Sequence, residues 1–235
     1  MKHKKMHTKL LLTFGAIAVL SFGVAACDSS EETTTTANTP VTSGVAENGV
    51  DYSTVITAGE VRDGVAFGDL IMGNPDAPVT LIEYASLTCP HCAVFHEEVF
   101  PAIKEQYIAT GKVRFIYRNF TRDSADLAVG MLTRCLGPEN AFELMEIFFT
   151  RQRQWAFSDD PKTEISAIAR QQAGIGRTDF DACLANAELQ NNLVEMLKQG
   201  QSEGVQGTPT FFVAGETFVG ERPFEYFAEI FEDNL

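Results

Sequence analysis

Val79-Thr80-Leu81-Ile82-Glu83-Tyr84-Ala85-Ser86-Leu87-Thr88-Cys89-Pro90-His91-Cys92 is the stretch that decides how this chain is read. Residues 79–85 form an apolar run of strand length, preceded by the turn cluster Gly73-Asn74-Pro75-Asp76-Ala77-Pro78. Beyond it, Cys92, Phe95, Val99 and Ile103 recur at helical spacing. Pro101 is expected to kink that helix and Gly111 to end it. The two cysteines therefore stand where a strand gives way to a helix. A helix N-terminus presents unpaired N–H groups and partial positive charge, so a thiol there loses its proton easily, and the thiolate is the reactive form. With two residues between them, the second thiol can attack the first sulfur, closing a disulfide or resolving a mixed one. Cys89, nearest the helix end, is expected to be exposed and nucleophilic; Cys92, one turn in, is expected to be shielded and resolving. Pro90 and His91 lie between them, and the His91 imidazole is expected to favour the thiolate.

Two cysteines at this spacing are also half of a zinc site. The remaining ligands would have to come from His91, His96, Cys135 and Cys183, with no second CxxC and no paired-histidine motif, so no metal is expected. No cofactor is called for. His96, four residues beyond Cys92 on the same helix face, reads as a surface histidine rather than a redox helper.

Downstream, Val113 to Phe120 alternates as a strand. Residues 123–204 then read as four or five amphipathic helices, broken at Gly137-Pro138, Asp159-Asp160-Pro161, Gly174–Gly176 and Asn186. Thr178 and Asp181 form a plausible cap pair. Strands return at Thr210–Val213 and Thr217–Val219 around an Ala214-Gly215-Glu216 turn, and a last helix starts near Pro223. The order is that of an α/β sheet interrupted by a helical insertion.

The N-terminal region speaks to location. Lys2, Lys4, Lys5 and Lys9 precede an apolar run from Leu10 to about Leu20 and a stretch of small residues, the pattern of a secretory signal over residues 1–26. An uncleaved membrane anchor is the competing reading, at the short edge of what spans a bilayer. Val24-Ala25-Ala26-Cys27 resembles a bacterial lipobox, in which Cys27 is lipidated and becomes the mature N-terminus; ordinary cleavage at the small residues is the alternative. Five cysteines is an odd number in an oxidising compartment, and assigning Cys27 to a lipid leaves four that can pair. Cys135 and Cys183, in separate predicted helices, are then read as a structural disulfide rather than two buried free thiols. Residues 27–57 hold the lipidated Cys27 and a polar linker, too poor in apolar residues to order itself. A flexible coil of about 30 residues reaches roughly 30 Å, enough to hold a domain of residues 58–235 off a bilayer. Removing residues 1–26 takes away four lysines and no acid, so the net charge of −14 becomes −18. That balance argues against nucleic acid and against electrostatic docking on anionic lipid. Membrane attachment would come from the lipid.

Three segments in order carry a specific resemblance: Tyr84 to Cys92, then Tyr117-Arg118-Asn119-Phe120, then Gly207-Thr208-Pro209-Thr210-Phe211-Phe212-Val213. Together they resemble the DsbA-like family, over about residues 64–235. The resemblance implies a thioredoxin fold with an inserted all-helical subdomain, here at 121–205. It implies a periplasmic protein that donates its disulfide to newly exported reduced proteins and is reoxidised by a quinone-linked membrane protein of the DsbB type. It also implies that Thr208-Pro209 is a cis-proline loop that binds substrate backbone opposite the cysteines. Glu83 resembles the buried acid beneath the resolving thiol; a strand-edge glutamate in water is the plainer reading. Where the family often carries a lysine near that acid, this chain offers Phe115, which leaves the partner of Glu83 open.

A protein-dithiol oxidase is the leading expectation, working as a monomer on the inner-membrane side of the periplasm, because Asp28 after Cys27 resembles an inner-membrane retention signal. Thr208 keeps a reductase or isomerase in play, since threonine before this proline also occurs in such members. A ligand-binding lipoprotein using the fold as a scaffold is the reading from a different class.

Overall fold

The computed structural model describes residues 48–235. The signal stretch, Cys27 and most of the linker lie outside them. Ordered structure begins earlier than residue 58. A 3-10 turn at Tyr52–Thr54, capped by the Asp51 side chain, leads into β1 (Ile56–Arg62). β1 pairs antiparallel with β2 (Val65–Met72) through a hairpin whose Asp63 and Gly64 take positive φ. The polar spacer thus stops short of residue 57, because Ile56 and Ala58 pack on the core and their main chain joins the sheet.

β3 (Val79–Ala85) and β4 (Val113–Asn119) run parallel, joined by a helical crossover. The crossover consists of α1 (Pro90–Val94), a π-helical turn at Phe95–Val99, α2 (Phe100–Ile103) and a second π turn at Lys104–Ile108. Pro101 has no N–H to donate, and wider turns, closed by Phe100 N–H to Phe95 O and Ala109 N–H to Lys104 O, flank it.

Six helices follow: α3 (Ser124–Cys135), α4 (Pro138–Thr150), α5 (Gln152–Trp155), α6 (Pro161–Ala173), α7 (Arg177–Leu184) and α8 (Ala187–Ser202). The count exceeds the four or five expected because α5 is a single turn. Asp123, Asp160 and Asn186 cap α3, α6 and α8 through their side chains. The cap expected at Thr178 does not form; Gly176 holds that position and Thr178 lies inside α7. β5 (Thr210–Val213), β6 (Glu216–Val219) and α9 (Phe224–Glu232) close the fold.

The sheet order is β1-β2-β4-β3-β5-β6, so β3 is central, with β4 parallel on one side and β5 antiparallel on the other. β3 alternates two buried faces. Glu83 meets His96 of the π turn and stands opposite Phe211, which forms one aromatic cluster with Phe95 of the same turn and Phe227 of α9, ring centroids 4.7 to 5.5 Å apart. Tyr84, of opposite parity, meets α8 so closely that a Cβ on Gly200 would lie 2.8 Å from its ring. The result is an α/β sheet with an all-helical subdomain inserted between β4 and β5.

Cys135 at the end of α3 is bonded to Cys183 in α7, with an S–S distance of 2.11 Å and Cα atoms 5.8 Å apart. Closing a loop of 48 residues restricts the unfolded chain by about 4 kcal/mol in the chain-entropy picture. Replacing both cysteines by alanine is therefore expected to lower the calorimetric melting temperature by roughly 10 °C for a domain of this size. Disulfide exchange at Cys89 should persist at low temperature.

Candidate active site

The register between β3 and β5 builds the site. Tyr84 stands opposite Thr210, so β5 begins where β3 ends. The chain leaving β3 turns through Ser86–Thr88 to Cys89, and the chain entering β5 arrives through Thr208 and Pro209, joined by a cis peptide bond. Cys89 Sγ lies 3.2 Å from the Thr208 carbonyl oxygen, to which a thiol donates. The Thr208 hydroxyl has no other partner among the described residues and serves the opposite state, as a donor to the thiolate.

Cys89 is the N-cap of α1. Its pKa falls from 9.0 to about 5. The largest cause is a hydrogen bond from the Cys92 thiol; burial opposes it, and the Thr208 side chain and the N–H groups of Cys92 and His91 add to it. Cys92 is driven the other way. Burial comes first in raising it well above 9.0, followed by its bond to Cys89 and the charge of Glu83. The pair is thus split into one thiolate and one thiol. Cys89 is not exposed as expected: it retains 2% of its surface, because the Thr208 loop covers the sulfur and α5 covers the backbone. Pro90 and His91 are the exposed members of the motif.

His91 also differs from expectation in its partner. Its ring, 66% exposed, places Nδ1 2.9 Å from the carboxylate of Glu221, just past β6. The hydrogen bond to Glu221, then its charge, raises the His91 pKa; the Cys89 thiolate contributes less. On Glu221, burial pushes upward as the largest single cause, but the bond and charge of His91, a backbone N–H and the charge of Arg222 together hold the carboxyl below its ordinary value. His91 reaches Cys89 chiefly through its backbone N–H.

Glu83 is completely buried and not in water, because β3 is central and its face is covered by the crossover helix. Its partner is His96, whose Nε2 lies 2.8 Å from Glu83 Oε2. His96 is 5% exposed, contrary to the surface reading. The spacing of four from Cys92 was the available signal, since that face of the helix packs on the sheet. Three residues of the insertion also hold the site and went unread in the sequence. Asp126 accepts the Leu87 N–H at 2.8 Å and the Arg122 N–H at 2.9 Å. Gln152 Nε2 donates to the carbonyls of Leu87 and Cys89 at 2.8 and 2.9 Å. The Thr88 hydroxyl donates to Asp123 at 2.9 Å. Among the described residues no cluster of metal-ligating side chains occurs, and no helix is long and apolar enough to cross a membrane.

A split cysteine pair at a strand-to-helix junction, faced by a cis-proline loop, defines the thiol–disulfide site of thioredoxin-fold proteins. A family model described as thioredoxin matches residues 66–233. A Rickettsia conorii protein named as a protein-disulfide oxidoreductase is 35% identical over 162 residues, 68% of this chain and 58% of that protein. This chain thus spans little more than half the length of that relative. The crystal structure of Wolbachia pipientis alpha-DsbA1 superposes with a TM-score of 0.66 at 28% identity, covering 71% of this chain and 90% of that one. A structure titled protein-disulfide isomerase from Novosphingobium aromaticivorans gives 0.61 at 28%, over 71% and 99%. The chain belongs to the thioredoxin family, among its DsbA-like members.

Two titrations follow from this geometry. In the reduced protein, thiolate absorbance is expected to show one midpoint near pH 5 that disappears in Cys89→Ser. The stabilisation from that depressed pKa is complete above the unfolded thiol's value and is lost as pH falls through about 5. Melting temperatures of the reduced form between pH 4 and 9 should trace that loss. For His91, Glu221→Gln should bring the ring's NMR titration midpoint down toward about 6.5, the value of a free imidazole.

Proposed function

We propose that this chain is a thiol–disulfide oxidoreductase that acts as a dithiol oxidase on exported proteins, donating the Cys89–Cys92 disulfide. The observation that carries the reading is the split pair, with Cys89 at about 5 and Cys92 well above 9.0. A substrate thiolate attacks Cys89 Sγ, the S–S bond breaks toward Cys92, and Cys92 takes a proton. A second substrate thiolate then releases Cys89 as a thiolate, which the hydrogen bonds around it already favour. Thr208 and Pro209 bind the substrate backbone alongside. Because the disulfide form carries no charge for those donors, their stabilisation belongs to the reduced form. Two pH units at about 1.36 kcal/mol each, discounted for screening at the partly buried Cys89–Thr208 contact, leave roughly 1–2 kcal/mol at pH 7. That raises the potential by roughly 20–40 mV over an unperturbed pair.

The same reading places the domain outside the cytoplasm, tethered through a lipid on Cys27, monomeric, and reoxidised by a quinone-linked membrane protein of the DsbB type. A structural disulfide at Cys135–Cys183 agrees with an oxidising compartment. An isomerase role is the second reading, favoured by Thr208 and by the name of the Novosphingobium relative.

Refolding separates the two. The oxidised protein is expected to regenerate activity in reduced, denatured ribonuclease stoichiometrically, and to rescue scrambled ribonuclease poorly. Equilibration with glutathione should give a potential above that of a reductase, and a reduced form that melts higher than the oxidised one. The opposite order of melting, or efficient rescue of the scrambled substrate, assigns the isomerase or reductase role.

A further inference from the structure

The acid beneath the cysteine pair has a partner that leads away from the substrate loop. Glu83 places Oε2 against His96 Nε2, while its Oε1 is buried without a hydrogen-bond partner among the described residues. Its charge is felt at Cys92. The His96 ring is otherwise enclosed by aromatic groups. Phe149 of α4 stacks on it at 4.4 Å and 14°, and Phe100 from α2 and Phe115 and Tyr117 from β4 complete the enclosure. The ionisable groups facing this region are Glu83 from β3, Cys92 from α1 and Tyr117 from β4, with Asp126 and Arg134 of α3 acting on Tyr117. Tyr117 is held protonated by burial, then by the charges of Asp126, Glu83 and Cys92.

His96, whose side chain keeps 2% of its surface, also belongs to the lining of a cavity of about 390 Å³, together with Glu97, Lys104, Glu146 and Phe149. Lys104 Nζ lies 3.8 Å from Glu146 Oε1, and these side chains are 36% and 48% exposed, so the mouth meets solvent. Neither Cys89, His91 nor Thr208 belongs to this lining. The π turn at Phe95–Val99 carries His96 and is where the helix widens.

We propose that His96 is the proton carrier of the resolving thiol, passing protons between the Glu83–Cys92 pocket and the cavity at Lys104 and Glu146. This rests on the oxidoreductase reading and adds a route to it. When the disulfide opens, two electrons from the substrate dithiol reduce it, and the bond's electron pair stays on Cys92 in a dry pocket. The Cys92 sulfur takes a proton through Glu83 from His96, and His96 is reprotonated from cavity water. Of the two substrate protons, one is thereby matched on Cys92 and the other remains in solvent. When the disulfide is restored, the Cys92 proton leaves along the same route. A buried thiolate is strongly disfavoured, so without that route the opening step is slowed.

The test uses the full chain and dithiothreitol as the reductant. His96→Gln keeps a donor toward Glu83 but cannot carry a proton. It should slow disulfide opening between pH 6 and 8 by on the order of 10²-fold and enlarge the solvent deuterium isotope effect. His96→Ala should be equally slow, and added imidazole should restore it. Alkylation of Cys89 by iodoacetamide in the reduced variants should stay at the wild-type rate, since it needs no proton at Cys92. Wild-type rates and pH profile in folded His96→Gln overturn the proposal, as does failure of imidazole in folded His96→Ala. If neither variant folds, NMR of the wild type decides. The His96 ring should change its protonation between the disulfide and dithiol forms, and an unchanged ring at every pH overturns the proposal. A wild-type pair inert to dithiothreitol would sink the oxidoreductase reading itself, a result distinct from a loss confined to the variants.

Discussion

The pairing of β5 against β3, with Tyr84 opposite Thr210, is the contact on which the site depends. Antiparallel strands bring the end of one beside the start of the other, so two segments 119 residues apart meet at one sulfur. The Cys89 thiolate needs donors on more than one side. The helix start supplies the N–H groups of His91 and Cys92, and the Thr208 loop supplies a hydroxyl. A one-residue slip in the register would turn Phe211 out of the aromatic cluster it shares with Phe95 and Phe227. The packing of the core and the alignment of the site are therefore held by the same contact.

The helical insertion supports the loop it interrupts. Leu87 to Cys89 leaves the sheet with main-chain groups that no strand can pair, and burial makes each of them costly to leave unmade. Asp126 and Gln152 satisfy them, with Asp123 holding Thr88. For Asp126, burial pushes the carboxyl pKa up to about 6, against the bonds from Ser86, Arg122 and Leu87. The Cys135–Cys183 bond ties α3, which carries Asp126, to α7.

Burial acts on the two cysteines in the same direction, yet they end far apart. Cys89 receives several donors and becomes the anion; Cys92 receives a negative neighbour in Glu83 and stays a thiol. The difference comes first from the bond between them, which the Cys92 thiol donates and Cys89 accepts, and then from the first helical turn, whose N–H groups point back at the cap residue. The buried Glu83–His96 pair sits on the Cys92 side of that division, while the His91–Glu221 pair stands on the solvent side.

The sequence by itself determined the strand-to-helix position of Cys89 and Cys92, the α/β order with its helical interruption, and the family that the three motifs define. These are local properties: an apolar run, a helical period and a dipeptide between two cysteines are written in consecutive residues. Only the tertiary structure decided that Cys89 is covered, that His96 is buried against Glu83, and that His91 turns to Glu221. The residues Asp126 and Gln152 likewise carry no mark of their role in sequence. Each of these facts depends on contacts between residues far apart along the chain, such as Gln152 with Leu87 or Glu221 with His91. A polar side chain reads the same in sequence whether it faces water or a buried partner, and the packing of β3 between β4 and β5 is what distinguishes the two.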